Sequence, residues 1–204
     1  MILLENVAYL VSDEQRDRAF AALRDRVGLS AGAILSADDE ELLDIARLGG
    51  MLPGSRVNKL RTIAQIALRE FDGDLRAVLK LPLAKAKKAL KKIPGIGDPG
   101  AEKILLFSRS QPILALESNG LRVLLRLGFA EERKSYAATY RGVQEAVRDQ
   151  ITEDFDWLIT AHQLLQRHGR DLCKRSAPRC KSCPLSRYCS FYTTNAVKEW
   201  LGDV

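Results

Sequence analysis

Four cysteines stand between positions 173 and 189, and the rest of the 204-residue chain has none. Their order, Cys173-x6-Cys180-x2-Cys183-x5-Cys189, gathers every thiol into one short loop. A secreted disulfide scaffold spreads its cysteines as long-range staples, whereas four so close together read as ligands of one metal centre. Thiolates suit zinc or an iron–sulfur cluster. Structural zinc sites use two close pairs with a longer spacer, or add histidine, and here only the central pair is close. The spacing is not that of bacterial or plant ferredoxins, and no histidine follows Cys183, which excludes c-type haem attachment. Lys174, Arg175, Arg179, Lys181 and Arg187 surround these ligands, with Asp171 as the nearby acid. Such charge offsets an anionic thiolate centre and also suits phosphate.

A second stretch with chemical potential is "IPGIGDPGAEK", Ile93 to Lys103, which holds three glycines and two prolines in eleven residues. Gly95 and Gly97 permit a tight turn with bare amides. Asp98 followed by Pro99 is a helix start, an N-cap oxygen and then a residue that needs no N–H there. Amides at a helix N-terminus bind phosphate without reading sequence, and Lys87, Lys88, Lys91 and Lys92 strengthen the field. The plainer alternative is a simple corner between two helices.

The elements that must position these residues are helical. "DEELLDIARL", "NKLRTIAQIALREF", "NGLRVLLRLGF" and "FDWLITAHQLLQRHG" repeat apolar residues at three and four, and no long stretch alternates with period two. Turn signals at "GGMLPGS", "FDGD", "PGIGDPG" and "HGRD" separate helices of ordinary length. The pattern predicts an all-α protein of about nine or ten helices, with a boundary near Ser110-Gln111-Pro112. The domains are accordingly read as 1–111, with the hairpin motif at about 80–107, and 112–204. No apolar run suggests a membrane span or signal peptide, so a cytoplasmic protein without a membrane partner is expected. A net charge of +6 favours a polyanionic partner. The chain opens inside what reads as its first core helix, so an upstream helix is expected.

Taken in order, these stretches resemble the endonuclease III-like helix-hairpin-helix DNA glycosylases, over nearly the whole chain. "IPGIG" is similar to the family's hairpin, "PILALESNGLRV" to the segment entering the second domain, and "HGRDLCKRSAPRCKSCPLSRYC" to its cluster loop. The resemblance implies a six-helix barrel-type domain carrying the hairpin and a smaller helical domain. It further implies a [4Fe-4S] cluster on Cys173, Cys180, Cys183 and Cys189, and a lesion pocket between the domains. It implies base-excision repair on double-stranded DNA by a monomer, nucleoid-associated in a bacterium, that extrudes a damaged base and cuts its N-glycosidic bond. That chemistry requires grip on phosphates, a wedge and a pocket for the flipped base. On this reading Gly95, Ile96, Gly97, Lys91, Lys92, Arg179 and Lys181 contact DNA. The wedge falls at Ser12-Asp13-Glu14-Gln15, with Gln15 or Glu14 inserted.

Two positions depart from the family pattern. Bifunctional members carry a lysine two positions beyond the hairpin's second glycine, and its amine forms a Schiff base with the sugar. Pro99 occupies that position here, so strand cleavage through it is excluded. Lys103 lies one helical turn further on, roughly 5–6 Å away, and is a poor substitute. The family's catalytic aspartate maps onto Glu117, whose extra methylene displaces the carboxylate by about 1.5 Å. A misplacement of about 1 Å can cost on the order of 100-fold in rate. Either the pocket is shaped around glutamate and the enzyme is a monofunctional hydrolase, or catalysis is attenuated and the protein mainly binds lesions. The first reading is preferred, with alkylated or otherwise labile bases as substrates. A helix-start charge facing the macrodipole is the purely structural role for Glu117. A zinc-stabilised DNA-binding module outside repair is the remaining reading. His162 is expected to pack, Tyr188 to lie over the cluster, Trp157 and Trp200 to serve as core or tail anchors, and the C-terminal tail to form a docking helix.

Overall fold

The computed structural model describes residues 1–194 and is all-α there, as the periodicity predicts. Ten α-helices lie between Ile2 and Asp171, joined by short 3₁₀ segments and one π turn at Leu23–Val27, and residues 190–194 are helical as well. No helix among them is long and apolar enough to cross a membrane. The segment containing Trp200, read as a docking helix, lies outside the described residues.

The chain divides into two compact units, Met1–Gly97 and the part from Asp98 onward. The break falls before the sequence boundary at 111/112 because the helix after the hairpin, α7 (Asp98–Phe107), packs on α10 (Phe155–Asp171).

The first unit holds α1 (Ile2–Val7), α2 (Asp13–Ala22), α3 (Ala31–Ser36), α4 (Asp39–Leu48), α5 (Pro53–Phe71) and α6 (Leu83–Leu90). Val7, Leu23, Ile34, Leu42, Ile45 and Leu60 share its core, and α5 packs against α1, α3 and α4. Local chemistry sets the ends. Asp38 accepts from Glu40 N and Glu41 N to open α4, and three acids in its first turn complement the dipole. Pro53 starts α5 where its missing N–H costs nothing. The Arg61 guanidinium gathers the carbonyls of Ile34, Leu35 and Ala37 and pairs with Asp39, tying the α3–α4 connection to α5.

In the second unit α7, α8 (Ser118–Leu127), α9 (Tyr136–Val147) and α10 enclose Leu106, Leu116, Leu121, Leu124, Tyr140, Val143 and Leu158. Helix α8 runs along α10 at close range, so near at Gly169 that a Cβ there would stand 2.7 Å from Asn119 Cβ. The alternation that makes α8 amphipathic buries Leu121, Val123 and Leu124 and leaves Arg122 and Arg126 for the loop beyond α10. That loop carries the cysteines.

Candidate functional site

Glu117 is the N-cap of α8, and both carboxylate oxygens are held. Oε1 accepts from Gly120 N at 2.7 Å and Oε2 from Asn119 Nδ2 at 2.9 Å. The structural role foreseen for this residue is therefore real. It also fixes a carboxylate in one place, with lone pairs left over for a further partner. The fixing continues inward. Asn119 Oδ1 accepts from Arg122 Nη2 at 2.7 Å, while Arg122 also donates to Cys173 O and Gly169 O, each at 2.8 Å. A hydrogen-bonded chain thus joins Glu117 to the first cysteine of the loop.

Three other titratable groups belong to these surroundings. His162 is buried as expected, and its Nδ1 lies 2.7 Å from Ala115 O, so the ring donates there. Burial lowers its pKa, helped by the charge of Lys103, while the bond to Ala115 and the charge of Glu117 oppose the shift. Tyr136 is raised by burial and then by Glu117. Lys103 is half-buried on α7, the helix whose second residue is Pro99.

The hairpin follows α6. Gly95 adopts φ +78, a conformation costly for any residue with a Cβ, and both Gly95 and Gly97 are exposed. Ile96 differs in kind. Its side chain is buried and its N–H is spent on Ile93 O within the turn. Lys91 is exposed, and Lys92 is exposed but paired with Glu70 at 2.5 Å.

Gln15 sits at N3 of α2 and closes a capping box with Ser12, so its side chain is committed to the helix start. The motif Ser-x-x-Gln is a readable sign of this. Exposed apolar residues lie just upstream and in the facing loop. Leu10 is 77% exposed at φ +54, and Leu52 is 69% exposed at φ +56, with Met51 and Tyr9 also exposed. Tyr9 N donates to Gly49 O at 3.0 Å and joins the two loops. They approach so closely that a Cβ on Gly49 would stand 2.0 Å from Val7 O. Two large aliphatic side chains are thereby held out in solvent on left-handed backbone, which is strained for leucine.

All four cysteines are free thiols, half-buried, and line one small pocket with Arg126, His168, Arg179 and Phe191. Burial raises the Cys180 thiol, and the charges of Cys173 and Cys189 add to the effect. Repulsion among gathered thiolates is what a cationic metal core relieves. Arg126 Nη1 donates to Lys174 O at 2.7 Å and lies 3.4 Å from Cys173 Sγ, with its guanidinium 4.4 Å from the Phe191 ring centre. His168 Nε2 is 3.5 Å from Cys183 Sγ, and burial lowers its pKa. Cys189 Sγ and Ser190 Oγ donate to the last carbonyls of α8. Among the described residues no three His, Cys, Asp or Glu side chains converge on a single-ion site. Four thiolates around one zinc at about 2.3 Å would bring their sulfurs within ~4 Å of each other. Arg179 and Lys181 are exposed on the same loop. Tyr188, expected over the centre, is instead exposed beside Arg187, and Phe191 takes the packing role. Trp157 is likewise half-exposed rather than a core anchor.

Fold and site together define an all-α helix-hairpin-helix protein with a cysteine loop clasped to the helix behind a fixed carboxylate. No family model matches the chain. It is 27% identical to an endonuclease III of Sulfolobus acidocaldarius over 194 residues, covering 93% of this chain and 82% of that one. It is 26% identical to a thymine/uracil-DNA glycosylase of Pyrobaculum aerophilum, covering 80% and 67%. Solved structures of an endonuclease III–DNA covalent intermediate (TM-score 0.73, 21% identity, 96% of this chain and 84% of that one) and of a thermostable thymine-DNA glycosylase (0.74, 15%, 95% and 83%) share the fold. The chain is endonuclease III-like in sequence and fold, which bears out the resemblance read from its motifs.

Proposed function

We propose that this protein is a base-excision DNA glycosylase that hydrolyses the N-glycosidic bond of a damaged base in duplex DNA, without a lyase step. The carrying observation is the Glu117 carboxylate, held by Gly120 N–H and Asn119 where the family resemblance calls for a catalytic acid. A fixed negative charge there stabilises the sugar as it becomes cationic, and the unused lone pairs orient the attacking water. The relatives, an endonuclease III and a thymine/uracil-DNA glycosylase, belong to the same class of enzyme. Alkylated or otherwise labile bases are the proposed substrates, since a good leaving group asks less of a carboxylate set on a longer side chain.

The hairpin glycines, with Lys91 and Lys92, hold backbone phosphate in this reading, and Arg179 and Lys181 add charge from the cysteine loop. Cys173, Cys180, Cys183 and Cys189 hold a [4Fe-4S] cluster, a redox-capable group whose four ligands here order the loop behind Arg122 and Arg126. The wedge is assigned to Leu10 and the Met51–Leu52 tip rather than to Gln15, because they are exposed and apolar and stand on two loops joined through Tyr9 and Gly49. Leu10→Ala is expected to slow excision from a fully paired duplex about tenfold, the cost of roughly 1.4 kcal/mol of lost unstacking help. The same lesion placed in an unpaired bubble should be cut at the unchanged rate, and comparing the two substrates checks the assignment.

The absence of a lyase lysine is tested on the same duplexes. Excision should leave the strand intact until alkali is added, and borohydride should trap no protein–DNA adduct. A trapped adduct that disappears in Lys103→Ala would overturn the account of Pro99. The rival reading, a lesion-binding protein with attenuated catalysis, draws on one observation: both Glu117 oxygens already have partners at the start of α8, Gly120 N–H and Asn119 Nδ2. No excision across a broad panel of damaged bases, with tight binding retained, would establish it.

A further inference from the structure

Glu102 is a carboxylate only 2% exposed, on α7 in the second unit. Its Oε2 accepts from the Tyr140 hydroxyl at 2.5 Å and from Gln144 Nε2 at 2.6 Å, both on α9. A buried carboxylate costs several kcal/mol unless it is well partnered, and an aliphatic residue would join the two helices at less cost. What distinguishes this network is where it leads. The Tyr140 oxygen accepts Leu116 N–H at 3.2 Å, and Gln144 Nε2 also reaches Leu114 O at 3.2 Å. On the other end of the same peptide group, Ala115 O accepts from His162 of α10.

The C=O and N–H of a trans peptide point in opposite directions. The Ala115–Leu116 peptide is therefore gripped at both ends, by α10 through His162 and by α9 through Tyr140. The next residue is Glu117. With the segment 114–116 outside any helix, these bonds replace the ladder that regular structure would have supplied. Because the Tyr140 O–H donates to Glu102, its oxygen is turned to accept from Leu116 N–H. Burial and the adjacent Glu102 charge also push the phenol pKa up, so the hydroxyl keeps its proton.

We propose that Glu102 is a positioning residue, which orients Tyr140 and Gln144 so that the peptide before Glu117, and with it the carboxylate, is held in one place. This inference rests on Glu117 as the reacting group. Tyr140→Phe is expected to lower the single-turnover excision constant by about 10- to 100-fold, the cost of a carboxylate loosened by about 1 Å. Affinity for duplex containing a non-hydrolysable abasic analogue should stay unchanged. Glu102→Gln presents an amide oxygen to the same two donors and should retain the wild-type rate, whereas Glu102→Leu should match Tyr140→Phe.

A wild-type rate in Tyr140→Phe, or a loss of affinity equal to the loss of rate, overturns the proposal. Should Tyr140→Phe not fold, Gln144→Met releases the Leu114 carbonyl and removes one donor from Glu102 while keeping the phenol, and carries the same expected split. Hydrogen exchange at the Leu116 amide gives a reading independent of catalysis: slow in the wild type, faster once the phenol is removed. An inactive wild type would refute the role of Glu117, and the exchange rates would still decide the clamp.

Discussion

Glu117→Gln is expected to abolish base excision while leaving the fold and DNA affinity intact. The substituted side chain is nearly isosteric, and its amide oxygen still accepts the Gly120 N–H that opens α8. Its new amide group meets Asn119 Nδ2, donor against donor, so the side-chain bond beside the cap is lost. Loss of that bond costs about 1 kcal/mol in stability. The chemical loss is much larger. A neutral amide cannot offset the positive charge that develops on the sugar, and removal of one preorganised electrostatic partner typically costs on the order of 100- to 1,000-fold. Single-turnover excision over a panel of alkylated, deaminated and oxidised bases, with abasic sites revealed by alkali, measures it. Undiminished excision in Glu117→Gln would remove the carboxylate from the mechanism. Glu117→Asp is the informative companion. It keeps the charge and shortens the side chain by one methylene, so a rate far below wild type would show that the pocket is shaped around glutamate.

How much of this was legible in the sequence depends on how local the physics is. Helix type and the cysteine loop were legible because period, caps and ligand spacing are short-range properties. Ser12 and Gln15 close a capping box that the motif itself announces, and the wedge assignment to Gln15 overlooked it. Leu10 and Leu52 gave no such sign. Leucine on left-handed backbone has no compositional signature, and the pairing of their loops depends on Gly49 approaching Val7 across more than forty residues of chain. Glu102 was equally hidden. It interrupts the apolar run "AEKILLF" like any solvent-facing charge, and only the partners 38 and 42 positions away make it a core residue. Glu117 was found by matching a motif, and its capping role by its place before α8. That the proposed catalytic carboxylate is also the cap of α8 became visible only when its two oxygens had named partners.

The cysteine loop carries the second large prediction, because its order is transmitted to Glu117. The purified protein should be brown, with broad visible absorption and about four irons per chain. A colourless protein with a single zinc would sink the cluster assignment. Cys183→Ala should bleach the protein and free the loop, since metal sites of this kind supply folding free energy to the segment that binds them. A loss of about 3 kcal/mol would lower Tm by roughly 6–12 °C in a chain of this size. The consequence for chemistry follows from the bonds already described. Arg122 donates to Cys173 O and Gly169 O and holds Asn119, which in turn holds Glu117 Oε2. Release of the loop removes the Cys173 end of that chain, and Arg126 loses its carbonyl partners at Cys173, Lys174 and Arg175 at the same time. Excision should then fall by at least tenfold even at temperatures where the variant remains folded, a loss expected from a reacting group displaced by less than 1 Å. Arg122→Met separates the two contributions. It should keep the colour and the iron content, and lose excision to a similar extent, because it cuts the path between the loop and the carboxylate without removing a ligand. Full activity in colourless Cys183→Ala would instead show that Glu117 is held by the helix cap alone.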